Sequence, residues 1–186
     1  MRRIAIASGI LILISAAVVG WLHYRASRFD PLIRREAVRN GVDFPLVKAL
    51  IYEESWFRPD IRGPAGELGL MQITKAAASD FASRNGRTPY HEDRLKDPEL
   101  NVEIGCWYLG KSIERYKRSP HPILFALLRY NAGEKRADNW LRRARLSPPP
   151  EGVSPEEYYL SLVDFPKTRA YARRILQRSR TQKFWL

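Results

Sequence analysis

Glu53 and Glu54 close an apolar run, Leu46-Val47-Lys48-Ala49-Leu50-Ile51, and adjacent carboxylates in that setting are the first feature with chemical promise. At about 100° per residue the apolar arc of such a helix centres between Leu50 and Val47, which puts Glu54 roughly 35° and Glu53 roughly 65° from the centre. Glu54 thus turns toward the interior. A carboxylate against apolar surface is disfavoured in its charged form, so it holds a proton closer to neutral pH and can serve as a general acid. Periodicity alone is met more simply by two acids in surface ion pairs at a helix end. Gln72 offers a donor and acceptors together, Met71 an adaptable apolar contact, and Tyr130-Asn131 a hydroxyl beside an amide. Taken singly, a buried Tyr with a bonded tip, an Asn before a helix cap and a core Met explain the last three. His23, His91 and His121 are scattered and Cys106 stands alone, which leaves no zinc cluster and no disulfide.

The elements that must position these residues read as helices. Asp30-Pro31 supplies an N-cap and a first-turn proline for a helix to about Asn40, stopped by Gly41. Asp43 and Pro45 start the helix that carries Glu54. Residues 58–69 hold Pro59, Gly63, Pro64, Gly66 and Gly69, a density of breakers that only a loop accommodates. Thr74 caps a helix to about Arg84, Asp97-Pro98 opens another to about Tyr116, and the apolar stretch Pro120 to Tyr130 ends at Gly133. Glu134 to Arg145 continues helically, a loop with Pro148-Pro149-Pro150 and Pro155 follows, and Pro166 to Arg180 forms the last helix. No window alternates with period two, so the fold class is mainly α.

With 186 residues, 45% of them hydrophobic, the chain fits one modest domain plus a short appendage and is too apolar to be disordered. The appendage is the N-terminus, where Ile4 to Leu22 runs nineteen residues without a charge and closes on Trp21-Leu22. That length crosses a bilayer, and with no small-residue cleavage site behind it the segment reads as an uncleaved signal anchor over residues 1–24, followed by a domain over 25–186. Arg2 and Arg3 precede the span and Arg25, Arg28, Arg34 and Arg35 follow it, so charge counting leaves the orientation open. The net charge of +12 implies an anionic partner. Arg142, Arg143, Arg145, Arg169, Arg173, Arg174, Arg178, Arg180 and Lys183 crowd the last third, either as a solvated face or as a contact for acidic polymers or acidic lipid, while Trp185 packs on the domain or meets the membrane interface. No recognised nucleic-acid-binding motif accompanies them, so nucleic acid is not expected.

Glu54-Ser55, then Gly69-Leu70-Met71-Gln72 behind the Gly/Pro loop, then Tyr130-Asn131-Ala132-Gly133 at a helix end, in that order, resembles the catalytic domain of the soluble-type lytic transglycosylases, whose fold is related to goose-type lysozyme. The resemblance runs from about Asp43 to Gln177. It takes in Asp97-Pro98, Asn101, Gly105, Tyr108 and Leu109, and a closing motif in Thr168-Arg169 and Tyr171. It implies a lysozyme-like helical domain behind a transmembrane helix, cleaving the β-1,4 bond between N-acetylmuramic acid and N-acetylglucosamine in peptidoglycan and leaving a 1,6-anhydro product. Glu54 would act as general acid and then base. Ser55, Gly69, Met71, Gln72, Tyr130 and Asn131 would bind substrate, with Gly66 and Gly69 letting backbone approach a sugar and Tyr130 placing its hydroxyl near Glu54. The resemblance implies no metal and no cofactor. Its expected partners are glycan strands, the inner membrane through the N-terminal helix, and a secretion or envelope machine, with the domain in the periplasm. Three positions depart from the family pattern: Gly63 where Ser is common, Arg129 where a small residue precedes Tyr-Asn, and Lys167 where Glu precedes Thr-Arg. The alternatives are a lysozyme-like hydrolase and a catalytically silent wall-binding scaffold.

Overall fold

A computed structural model describes residues 2–182, with side chains from Ser8 onward, so the expectations for Lys183 and Trp185 lie outside the described residues. Helix α1 (Arg2–Ser27) has no polar face, and Leu11, Ile12 and Leu13 are 66–71% exposed along it. Among the described residues it is the one helix long and apolar enough to cross a membrane. Its last turn differs: Ala26 is buried in the core, and the Arg25 guanidinium lies over both the Trp21 and Trp56 rings while its Nε donates to the Trp56 carbonyl at 2.9 Å.

The remaining helices are α2 (Asp30–Arg39), α3 (Phe44–Ser55), α4 (Lys75–Arg84), α5 (Pro98–Arg115), α6 (Pro122–Ala132), α7 (Glu134–Leu146), α8 (Pro155–Ser161) and α9 (Pro166–Thr181), with a 3-10 turn at Glu92–Lys96. No strand forms among the described residues; two isolated bridges, Arg62 to Leu68 and Leu68 to Ile73, tighten the loop after α3. The mainly helical reading holds, as do most helix ends. The 3-10 turn and α8 were not expected, because each is too short to display a helical period. Asp30 is corrected: Phe29 occupies the N-cap, and the Asp30 carboxylate reaches instead to Lys48 Nζ at 2.7 Å. A buried ammonium needs a counter-charge more than a helix terminus needs a cap.

The core is assembled around α3, which packs on α9, and around α6, which packs on α5, α7 and α9. Leu46, Val47, Ala49, Leu50 and Ile51 are all buried, so the helix ending in Glu54 is held nearly all round. Asn101 on α5 anchors the loop that follows. Its amide, fully buried, accepts from Met71 N at 2.7 Å and donates to the carbonyls of Leu68 and Leu95 at 2.8 and 2.6 Å. Gly69 turns beside it at φ 79°, where a Cβ would fall 2.3 Å from the Asn101 amide nitrogen, so both the turn and the approach require glycine.

Candidate active site

Glu54 sits on the last turn of α3, partly buried, and the Tyr171 hydroxyl of α9 donates to its Oε1 at 2.5 Å. Burial drives its carboxyl up to about 7, helped by the charges of Glu53 and Glu67 and opposed by the Tyr171 bond, which favours the ionised form. The neighbouring Glu53 is clamped by Arg174 of α9, whose Nε donates to it at 2.8 Å. Adjacent positions of α3 thus carry a carboxyl that titrates near neutral pH and one locked in an ion pair. Burial also holds the Tyr171 and Tyr130 phenols well above their ordinary range, so both remain hydroxyl donors.

Gln72, Thr74, Tyr108, Tyr130, Asn131 and Gly133 line a groove of about 420 Å³, and Tyr130 in its wall lies near enough to Glu54 to feel its charge. Tyr130 stands in the groove wall near Glu54, its hydroxyl donating to the Met71 carbonyl at 2.8 Å, while the hydrogen bond to the acid itself comes from Tyr171. Asn131 Oδ1 accepts from Thr168 Oγ1 at 2.8 Å, tying the end of α6 to α9. Gln72, at φ 48°, donates from its amide nitrogen to the Gly69 carbonyl at 2.9 Å and the Ile61 carbonyl at 3.3 Å, which leaves its oxygen as a fixed acceptor. That oxygen and Glu67 Oε2 each lie 2.5 Å from where a Gly63 Cβ would be. The site of the family's serine is therefore filled by two acceptors from neighbouring side chains, and the hydrogen bond to the acid comes from Tyr171.

Two of the side chains expected at the substrate, Met71 and Ser55, are buried within the fold. The Met71 side chain is fully buried, its sulfur nested against Gly105, and so belongs to the core. The Ser55 hydroxyl is buried and donates back to the Ile51 carbonyl at 3.1 Å. Gly69 is required as glycine by the approach of Asn101 and the Leu95 carbonyl. What spacing did not reveal is Asn101 as the loop's anchor and Tyr171 as the acid's donor. The spacing of Thr168 and Tyr171, three apart on one helical face, was the available signal. Much of the basic C-terminal stretch is neutralised internally, since Arg143, Arg173, Arg174 and Arg180 pair with Asp164, Glu157, Glu53 and Glu156. Among the described residues no group of three or more His, Cys, Asp or Glu side chains is placed to hold a metal.

Residues 31–148 match the family model described as "Transglycosylase SLT domain". The chain belongs to that family. Among its relatives, the membrane-bound lytic murein transglycosylase F of Desulfosudis oleivorans is 38% identical over 115 residues, 60% of this chain and 23% of that protein. The soluble lytic murein transglycosylase of Escherichia coli K12 is 26% identical over 149 residues, 80% of this chain and 22% of that protein. The crystal structure of the 70-kDa soluble lytic transglycosylase of Escherichia coli superposes with a TM-score of 0.70 at 25% identity, covering 81% of this chain and 23% of that one. Its complex with bulgecin A gives 0.71, again at 25% identity and over 82% of this chain and 24% of that one. This SLT domain chain spans less than a quarter of the length of each of these relatives. The lysozyme-like helical architecture expected from the three motifs is thus the one the fold adopts.

Proposed function

We propose that the chain is a peptidoglycan lytic transglycosylase that cleaves the bond between N-acetylmuramic acid and N-acetylglucosamine, with Glu54 as its single acid–base group. The observation that carries this reading is the Glu54 carboxyl, raised to about 7 and held by Tyr171 beside the Gln72–Tyr130 groove. A carboxyl near neutrality is populated in both forms, as a group that gives a proton and then takes one must be. Protonated Glu54 gives its proton to the glycosidic oxygen as the C1–O bond breaks. The acetamido group of the muramic sugar stabilises C1, a task that in ordinary retaining glycosidases falls to a second carboxylate about 5 to 5.5 Å from the first. Glu53, locked to Arg174, is not free for that task. Ionised Glu54 then removes the proton of the muramic C6 hydroxyl, whose oxygen closes on C1 to leave the 1,6-anhydro ring. No water is consumed, and Glu54 ends protonated as it began.

Residues 1–24 are proposed as an anchor in the inner membrane, with the domain over 25–186 on the periplasmic side, where the glycan lies. Support comes from the apolar, exposed surface of α1 and from a relative that is itself named membrane-bound. The deciding experiment digests purified murein with the full chain in detergent and with its Glu54→Gln variant, then weighs the products. Anhydro-muropeptides from the wild type alone are expected. Products heavier by one water would make the chain a hydrolase, and undigested murein with both proteins would make it a scaffold.

A further inference from the structure

Helix α1 runs into the domain without a linker. Its uncharged run, Ile4 to Leu22, rises about 28 Å at 1.5 Å per residue, close to the roughly 30 Å of hydrocarbon in a bilayer. The helix then continues to Ser27, and Ala26 on its last turn is already buried in the core. Arg25 joins the two parts. Its guanidinium carbon lies 5.0 Å from the Trp21 ring centre and 4.3 Å from that of Trp56, while its Nε donates to the Trp56 carbonyl at 2.9 Å. Arg28, three residues on, donates to the Phe57 carbonyl at 3.3 Å.

Headgroups add about 5 to 8 Å to each side of the hydrocarbon, and Arg25 stands about 4.5 Å beyond Leu22 along the helix axis. The junction therefore lies at headgroup depth. Trp56 is held at that level although it belongs to the domain, as the C-cap of α3, and it is 43% exposed. Trp21 and Tyr24 of α1 are exposed as well. Burial, then the charges of Arg58 and Arg28, hold the Arg25 guanidinium below its ordinary pKa, against weaker opposition from Tyr52 and Asp60, so the three cations stand close together. None of the three forms an ion pair among the described residues. Each donates instead to a backbone carbonyl, Arg58 to that of Ser55 at 3.3 Å. Exposed indoles beside crowded, unneutralised arginines match an anionic headgroup layer in both polarity and charge.

We infer that Trp56, Arg58, Arg28 and Arg25 form a seat in the anionic headgroup layer of the membrane that α1 enters, which keeps the domain, and Glu54 two residues before Trp56, against the bilayer surface. The inference rests on the anchor reading of residues 1–24 and not on the chemistry of cleavage. The full chain is placed in lipid discs rich in phosphatidylglycerol and in discs of phosphatidylcholine alone, each with acyl chains brominated near the headgroup. Quenching of the emission that Trp21→Phe removes reports insertion of α1, and quenching of the emission that Trp56→Phe removes reports the seat. Both emissions are expected to be quenched, that of Trp56 about twofold more in phosphatidylglycerol, with the difference narrowing as salt is added. Arg28→Glu with Arg58→Glu is expected to remove the difference. Arg142→Glu with Arg145→Glu, the same change of charge on α7, is expected to retain it. Quenching of Trp21 without Trp56 overturns the seat and keeps the anchor, whereas quenching of neither overturns both. Equal Trp56 quenching in the two lipids, or a difference lost equally in both double variants, also overturns the seat. Shielding of Trp56 that appears in detergent and grows with protein concentration would assign the face to a second copy and overturn it likewise. No glycan takes part, so a chain that leaves murein uncut refutes the transglycosylase without touching this result.

Discussion

Removing the charge at position 54 is expected to stabilise the protein above neutrality. In the unfolded chain this carboxyl titrates near its ordinary 4.5, whereas in the folded chain burial and the charges of Glu53 and Glu67 carry it to about 7 against the pull of Tyr171. Between those two values the native state keeps a proton that the unfolded state has released, so stability is full below the lower value and declines as pH rises through the upper one. At about 1.4 kcal/mol per pH unit, the separation corresponds to about 3 kcal/mol. Residue 54 is only partly buried, and solvent screening trims that to about 2 kcal/mol. Glu54→Gln preserves the shape and an acceptor for the Tyr171 hydroxyl but cannot ionise. Its stability should equal the wild type's near pH 4 and exceed it by about 2 kcal/mol near pH 8, which for a chain of this size is a rise of about 4–8 °C in Tm. The assay is thermal unfolding of both proteins, in detergent, across that pH range. Curves that run parallel throughout would refute the claim that this carboxyl is raised by its surroundings.

Tyr171→Phe removes the donor that favours ionised Glu54, so the carboxyl should climb further, the alkaline limb of the kcat profile should move to higher pH, and kcat should fall roughly tenfold; a pH–rate series on murein checks it, and an unmoved limb counts against the assignment. Gly63→Ser places a Cβ 2.5 Å from both Gln72 Oε1 and Glu67 Oε2, so Gln72 must shift. KM should rise several-fold while thermal stability changes by less than about 1 kcal/mol, because the neighbours displaced are the ends of flexible side chains. Asn101→Ala strands Met71 N and the carbonyls of Leu68 and Leu95 in the core, and at about 1 kcal/mol for each bond lost it should destabilise by about 3 kcal/mol, read by urea unfolding.

The direction of Glu54 was legible because α3 is packed nearly all round and its apolar arc therefore reports the interior faithfully. The identity of its partner was not, since Tyr171 lies 117 residues away and no local pattern couples the two. Met71 and Ser55 were expected at the substrate because they adjoin residues that reach the groove, yet successive residues on a helix or tight turn point in different directions. Gln72 faces the groove, and Met71 beside it faces Gly105. Asp30 misled for a related reason: the residue type suits a cap, but a buried Lys48 five helical turns later in sequence competes for the same carboxylate and wins. Helix boundaries, set by Pro, Gly and capping side chains close in sequence, were read more easily than contacts set by packing. Thr74 accepts from Ala77 N at 3.1 Å, as a cap at that position should.

The acid and the groove are positioned by different segments, and the connections between those segments form a continuous path from α5 to α3. Asn101 of α5 holds the loop through Met71 N, and the Met71 carbonyl takes the Tyr130 hydroxyl from α6. The next residue, Asn131, takes the Thr168 hydroxyl from α9, and Tyr171 one turn further along α9 holds Glu54 of α3. The four hydrogen bonds of the path involve buried or half-buried groups apart from the exposed Asn131, and a buried group that loses its partner is not fully compensated by water. Groups in one such network are coupled when changed together. Thr168→Val should therefore reach the acid without touching it: loosening α6 from α9 frees Tyr171 to withdraw from Glu54, so the variant should displace the pH profile in the same direction as Tyr171→Phe. Thr168→Val combined with Tyr171→Phe should displace it no further than Tyr171→Phe alone. Additive displacements would mean that the two residues act on Glu54 by separate routes, and that α9 is not the lever by which the fold sets the acid.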